Sequence, residues 1–166
     1  MRSDPDPAWR RSCLTWFTAL PVAAGLAACG SAPRRGAAVP SSPYGQDVVI
    51  QALGLVGTPY RLGGNDLERG VDCSAFIGLV YRRASNLALP RTVATLQRWG
   101  RAVDREAAEP GDVILFTPAG AGLPTHGGIV VGGGRFVHAP STGGRVRVDS
   151  LTLAHWARQA WTVRRP

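Results

Sequence analysis

From Cys73 onward the apolar positions are Phe76, Ile77, Val80, Tyr81 and Ala84, the i, i+3, i+4, i+7 recurrence of a helix with one face in a core. The pattern predicts a helix that starts at Cys73, with Asp72 placed to cap it, and stops near Asn86. Upstream, Val48, Val49, Ala52, Leu53, Leu55 and Val56 predict a first helix ending at Gly57. Thr92 is placed to cap a further short helix running through Leu96 and Trp99 to Gly100. The period then changes. Val113 to Phe116 is a continuous apolar run launched by the turn Glu109-Pro110-Gly111-Asp112, and it predicts a strand. His126 to Val131 and Arg135 to Ala139, joined by three glycines, predict a hairpin. Arg145-Val146-Arg147-Val148-Asp149 alternates, as a half-exposed strand does, and Trp161 to Val163 predicts a last strand. One or two helical turns fit Leu151 to Gln159.

Helices first and strands later make this an α+β domain, a helical layer packed on an antiparallel β-sheet, over residues 44–166. Pro118 to Thr125, broken by Gly and Pro, is a loop long enough to border a cleft.

Ahead of the domain, Arg10 and Arg11 precede an apolar run from Cys13 to Ala28, the charge, length and small-residue ending of a secretory signal. A cytosolic amphipathic helix would need a polar face, which this run lacks. Leu26-Ala27-Ala28-Cys29 resembles a bacterial lipobox, which implies a signal peptide over 1–28 and lipid on Cys29. Lipid chains would hold the protein to a membrane without a spanning helix. Gly30 and Ser31 lack the Asp that in many bacteria retains lipoproteins at the inner membrane, so the expected place is the outer membrane, facing the periplasm. The arginine pair also raises twin-arginine export, which the following residues match poorly. Residues 30–43, rich in Ala, Pro, Ser and Gly, read with Cys29 as a lipidated tether over 29–43.

The export reading changes the cysteine arithmetic. Of three cysteines, Cys13 leaves with the signal and Cys29 carries lipid, so Cys73 remains as a lone thiol with no disulfide partner. The charge points the same way. All 19 basic residues are Arg, and the chain carries a net charge of +8. Nucleic acid would suit such a charge, but export excludes it, and an anionic envelope surface is the better match.

A thiol on the first turn of a helix lies among unpaired N–H groups at the positive end of the dipole, which favours the thiolate. The plainer reading of Cys73 is a buried structural cysteine. A nucleophile needs a base and a group that orients the base. In the predicted hairpin, His126 begins one strand and His138 ends the next, so both imidazoles lie at one end of the sheet. A helix packing on that same face would bring Cys73 against them. His155 has no partner in the pattern and reads as a surface or structural residue. A zinc site of one Cys and two His would use the same residues, but the usual Cys-X-X-Cys and His-Glu-X-X-His spacings are missing.

Gly57 to Gly64, Asp72 to Phe76, Pro110 to Val113, His126 to Ile129 and Phe136 to Ala139 together resemble the NlpC family of bacterial papain-like cell-wall peptidases. The resemblance covers nearly all of the chain from Tyr44 onward. It implies a papain-like fold and a cysteine endopeptidase acting on peptidoglycan stem peptides or crosslinks, with no metal and no cofactor. Carried over by position, Cys73 is the nucleophile, His126 the general base and acid, and His138 the group that orients His126. Tyr60 matches a tyrosine lining the site, where its hydroxyl and the Cys73 backbone N–H help hold an oxyanion. Asp72 and Ser74 flank the nucleophile and are candidates for substrate contact. Ala75 stands where the family most often has Gly, and Gly127 where it often has Val, a change expected only to thin the packing around His126. The implied partners are peptidoglycan stem peptides and, through the lipid, a membrane, with the protein a monomer. Two rivals stay open: an amidase or transacylase on the same scaffold, and a non-catalytic, envelope-binding lipoprotein.

Overall fold

A computed structural model describes residues 42–141 and 144–166. The expected signal peptide, Cys29 and all but the last residues of the tether lie outside them.

The helical layer consists of α1 (Gly45–Gly54) and α2 (Cys73–Ser85). Helix α2 begins where the sequence predicts: Asp72 adopts an extended conformation and accepts a hydrogen bond from the Ala75 N–H at 2.8 Å. It ends at Asn86, whose positive φ of 56° closes the helix in the left-handed region. The helix after Thr92 is shorter than the spacing suggested. Thr92 does cap it, through the Thr95 N–H at 3.2 Å, but α3 covers only Val93–Leu96.

A six-stranded antiparallel sheet forms the second layer. Its strands are β3 (Arg101–Val103), β4 (Val113–Thr117), β5 (His126–Gly132), β6 (Arg135–His138), β7 (Arg147–Ser150) and β8 (Ala160–Arg165), in the order β3-β8-β4-β5-β6-β7. The C-terminal strand is therefore internal, lying between β3 and β4. Three residues of β3 and a two-stranded ribbon, β1 (Asn65–Asp66) with β2 (Gly70–Val71), carry too little apolar pattern to be seen in sequence. A single turn, α4 (Ala154–Ala157), precedes β8.

The sheet separates two apolar clusters. On one face Val113, Leu115, Ile129 and Val137 pack with Val48, Phe76, Ile77 and Val80 of the helices. On the other, Ile114, Phe116, Val130 and Phe136 pack under Trp156. Alternation along β5 assigns the site residues to faces. A Cβ on Gly127 would lie 3.1 Å from Ile77 Cδ1 and Leu115 Cδ2, so this position faces the helices. A Cβ on Gly128 would lie 2.9 Å from Phe136 Cδ2, on the far face. His126 therefore projects to the far face, with Phe116 and Trp156, rather than to the helical face as the sequence reading assumed. Helix α2 reaches it because its first residue lies at the end of the sheet, where the two faces meet.

The Pro110-Gly111-Asp112 turn is structural. Gly111 has φ +96°, and a Cβ there would fall 2.5 Å from Gly45 Cα, so the turn seats directly against the start of α1. Asp112 is fully buried and receives the Arg165 guanidinium in a two-pronged pair, Nε to Oδ1 and Nη2 to Oδ2, both at 2.8 Å. That pair ties the C-terminal strand to the turn before β4. Removing one partner would strand a buried charge.

Candidate active site

Cys73, Tyr60, Asp72, Ser74 and His126 line one cleft of about 370 Å³, together with Arg91 and residues of the 118–125 loop. The residues singled out in the domain's sequence thus converge, with His138 one step behind His126.

Helix α2 presents Cys73 at its first turn. Backbone N–H groups of Gly127, Ser74 and Cys73 itself are directed at the sulfur. Gly127 can approach this closely because it has no side chain between β5 and Ile77. The packing under it is closed, so the expected thinning does not occur. Burial pushes the Cys73 thiol above its ordinary value, and the Asp72 charge adds to that, while the three amides oppose both. The helix start therefore moderates a neutral thiol rather than producing a free thiolate.

His126 and His138 are hydrogen-bonded ring to ring, Nε2 to Nδ1 at 2.8 Å. The relay extends one residue further than the sequence predicts: His138 Nε2 lies 2.9 Å from Oδ2 of Asp149. A carboxylate only accepts, so His138 carries its proton on Nε2 and its Nδ1 accepts from His126 Nε2–H. The lone pair of His126 is then on Nδ1, the nitrogen left for the thiol. Burial first, and His138 second, hold the His126 imidazolium down to about 3, and burial holds His138 down to about 4 against the pull of Asp149. With both ring nitrogens of His138 engaged, this pair does not offer the two imidazole donors that the zinc reading required.

Asp149 is itself fixed. Trp156 Nε1 donates to Oδ2 at 3.0 Å, and Arg147 donates from Nε to Oδ1 at 3.0 Å and from Nη2 to Oδ2 at 3.1 Å. Burial works to raise its carboxyl, but these donors hold it below the ordinary carboxylate range. The indole of Trp156 stacks on the His126 ring at a centroid distance of 5.3 Å and an interplanar angle of 24°. Asp149 could have been found only from its place in an alternating strand paired with the His138 strand. That same alternation was read as exposure, whereas its side chain is 9% exposed.

Around the nucleophile, Asp72 does more than cap. Arg91 grips it, Nη1 to Oδ1 at 2.9 Å and Nη2 to Oδ2 at 3.1 Å, and also donates to the Gly64 carbonyl at 3.1 Å. Ser74 Oγ accepts from Arg91 Nη1 at 2.7 Å and lies 2.9 Å from Asp72 Oδ1. Burial works to raise the Asp72 carboxyl; Arg91, the Ala75 N–H and Ser74 outweigh it and keep the group ionised. Both residues are buried and internally bonded, so their first role is to lock the helix start to the 61–64 loop. Tyr60 stays a neutral donor: partial burial raises its phenol, with Cys73 and Asp72 adding to the shift. His155 is exposed, with Nε2 3.0 Å from Gln159 Nε2 and its ring against Trp156.

A thiol at a helix start, beside an imidazole relay on an antiparallel sheet, is the arrangement of the papain-like enzymes, and the NlpC/P60 family matches residues 57–165. The chain belongs to this family. It is 32% identical over 112 residues to murein DD-endopeptidase MepH of Escherichia coli, covering 66% of this chain and 41% of that protein. A probable endopeptidase of Haemophilus influenzae is 38% identical over 109 residues, 66% of each chain. Gamma-DL-glutamyl hydrolase of Bacillus subtilis is 34% identical over 120 residues, 71% of this chain and 28% of that one. Among solved structures, the domain of the peptidoglycan hydrolase SagA superposes with a TM-score of 0.63 at 30% identity, covering 73% of this chain and 98% of that one. A family protein from Bacillus cereus gives 0.67 at 29% identity, over 75% and 41%. The match thus covers only part of several curated relatives, 41% of one and 56% of another.

Proposed function

We propose that this protein is a cysteine endopeptidase that hydrolyses amide bonds in peptidoglycan peptides. The observation that carries the reading is the hydrogen-bonded relay His126–His138–Asp149 beside the cleft that Cys73 and His126 line together. As Cys73 Sγ attacks the amide carbonyl carbon, its proton passes to Nδ1 of His126. The resulting imidazolium is stabilised through His138 by the ionised Asp149, which holds the ring orientation and stays a carboxylate, as in the Ser-His-Asp arrangement. The Tyr60 hydroxyl and backbone N–H groups at the start of α2 receive the oxyanion. His126 then returns the proton to the leaving amine, and water releases the acyl half from sulfur.

Relatives named murein DD-endopeptidases support a substrate in the cell wall. Two kinds of bond remain candidates, the crosslink named for MepH and a glutamyl linkage as named for the Bacillus enzyme. Mass spectrometry of the fragments released from defined muropeptides distinguishes them: separation of crosslinked stems into single stem peptides indicates the first, a new carboxylate on glutamate the second. Intact muropeptides after prolonged incubation with the wild-type protein would remove the hydrolase reading and leave the envelope-binding one. We further propose, from Leu26-Ala27-Ala28-Cys29 and from Gly30 and Ser31, which lack the retaining Asp, that lipid on Cys29 holds the domain at the outer membrane, facing the periplasm. The 14 residues from 30 to 43 would span roughly 20 Å as a random coil and about 45 Å fully extended, enough to work near that surface.

A further inference from the structure

Helix α1 buries Val48 and Ala52 against α2 and the sheet and leaves its other side bare. Four of the eight large apolar side chains exposed among the described residues lie on it or beside its ends: Tyr44, Ile50, Leu53 and Val56, with Ile50 64% exposed. None of them takes part in the active site. Asp47, Ile50 and Gly54 recur at i, i+3 and i+7, so they form one stripe on this outer side, with Leu53 beside it. The space over Gly54 is open: a Cβ there would meet nothing within 4 Å.

The two ends of the stripe carry opposite charges. Asp47 is exposed in the first turn. At the far end Arg145, also exposed, donates from Nη1 to the Gly57 carbonyl at 2.8 Å, which holds its guanidinium at the C-terminal end of α1. Neither Asp47 nor Arg145 has an ion-pair partner among the described residues.

We propose that this stripe is the contact between two copies of the chain, which pack their α1 helices antiparallel about a twofold axis. A surface that meets itself across such an axis must be complementary to its own reverse. Reversing α1 sets Asp47 of each copy against Arg145 of the other. Asp47 and Gly57 share their midpoint along the chain with Ile50 and Gly54, so the same register stands Ile50 over the partner copy's Gly54. A large side chain then fills an open position on both sides, and the two Leu53 side chains meet near the axis. A lipid surface would take the apolar residues but would leave Asp47 unmatched. Helices that lie on membranes also carry cations along their polar face, whereas the chain, with 19 arginines in all, has none from residue 37 to residue 60. So small a contact gives a weak, reversible dimer, dissociating in the range of about 10–100 µM. The pairing departs from the monomer expected from sequence.

The test is sedimentation equilibrium of the full chain in density-matched detergent, with thiols kept reduced, from about 1 µM to about 1 mM. The mass should rise from one chain to two. Ile50→Glu, at an exposed position that the fold does not need, should weaken association at least tenfold, because it sets a carboxylate against the apolar contact. Asp47→Arg and Arg145→Asp should each weaken it by about tenfold, since symmetry counts every contact twice, and the two together should recover most of the loss. A single-chain mass throughout, a dimer unmoved by Ile50→Glu, or no recovery in the double reversal overturns the proposal. A monomer whose α1 amides gain protection from exchange only when phospholipid vesicles are added would assign the face to lipid and overturn it as well.

Discussion

Trp156 and His138 donate to the same oxygen, Oδ2 of Asp149, at 3.0 and 2.9 Å. One carboxylate oxygen thereby fixes the second histidine of the relay and the indole that covers the first. Asp149 makes no contact with substrate in this account, so it is a positioning residue. Asp149→Ala should lower kcat by about ten- to a thousandfold with KM nearly unchanged, because the wrong His138 tautomer becomes accessible. Asp149→Asn should not restore the loss, because its amide N–H can donate to His138 Nε2 and hold the wrong tautomer, and a variant with unchanged kcat would contradict the relay.

His126→Ala should be nearly as damaging as loss of the nucleophile. The readout that isolates the pairing is alkylation of Cys73 by iodoacetamide at pH 6, which should be slower in His126→Ala than in wild type. Equal rates would show that His126 does not accept the thiol proton. His138→Gln should retain more activity than His138→Ala, since its carbonyl can take the Nε2–H of His126.

Much of this site is legible in the sequence. The apolar period from Phe76 to Ala84 fixes both ends of α2, and the glycine turn after Val131 brings His126 and His138 to one sheet end. Asp149 and the face assignment are not legible, for the same reason. Alternation in a strand gives two faces but does not say which one a distant residue will cover, and here Trp156, more than ten positions past the predicted strand's first residues, covers the face read as exposed. The ribbon of β1 and β2 is similarly hidden, because its pairing depends on backbone contacts to the 61–64 loop rather than on any side-chain period.

Acid should weaken the fold before it protonates the lowered carboxylates. His138 titrates at about 4 in the folded protein against 6.5 for an ordinary histidine. Its contribution is present above the unfolded value and is lost as pH falls, since the unfolded chain binds the proton first. At pH 5 the loss is about 2 kcal/mol from this group, and His126 acts in the same direction. Urea midpoints at pH 7.5 and pH 5 should therefore differ more in wild type than in His138→Gln. Equal differences would contradict a buried neutral His138. The same lowering puts the acid limb of kcat/KM below pH 6.5.

Cys29→Ala should block incorporation of labelled palmitate and release the protein from the membrane fraction, while leaving turnover of soluble muropeptides by the domain unchanged. A wild-type protein that takes up no label and fractionates as soluble would contradict the anchor and leave the assignment of Cys73 untouched.

Release of soluble peptides from purified peptidoglycan by the wild-type protein and by Cys73→Ala tests the central claim most directly. The account predicts steady release by the wild type and a fall of several orders of magnitude in the variant, whose circular dichroism and urea midpoint stay close to wild type. Retention of more than about one hundredth of the wild-type rate in a folded Cys73→Ala protein would contradict cysteine catalysis.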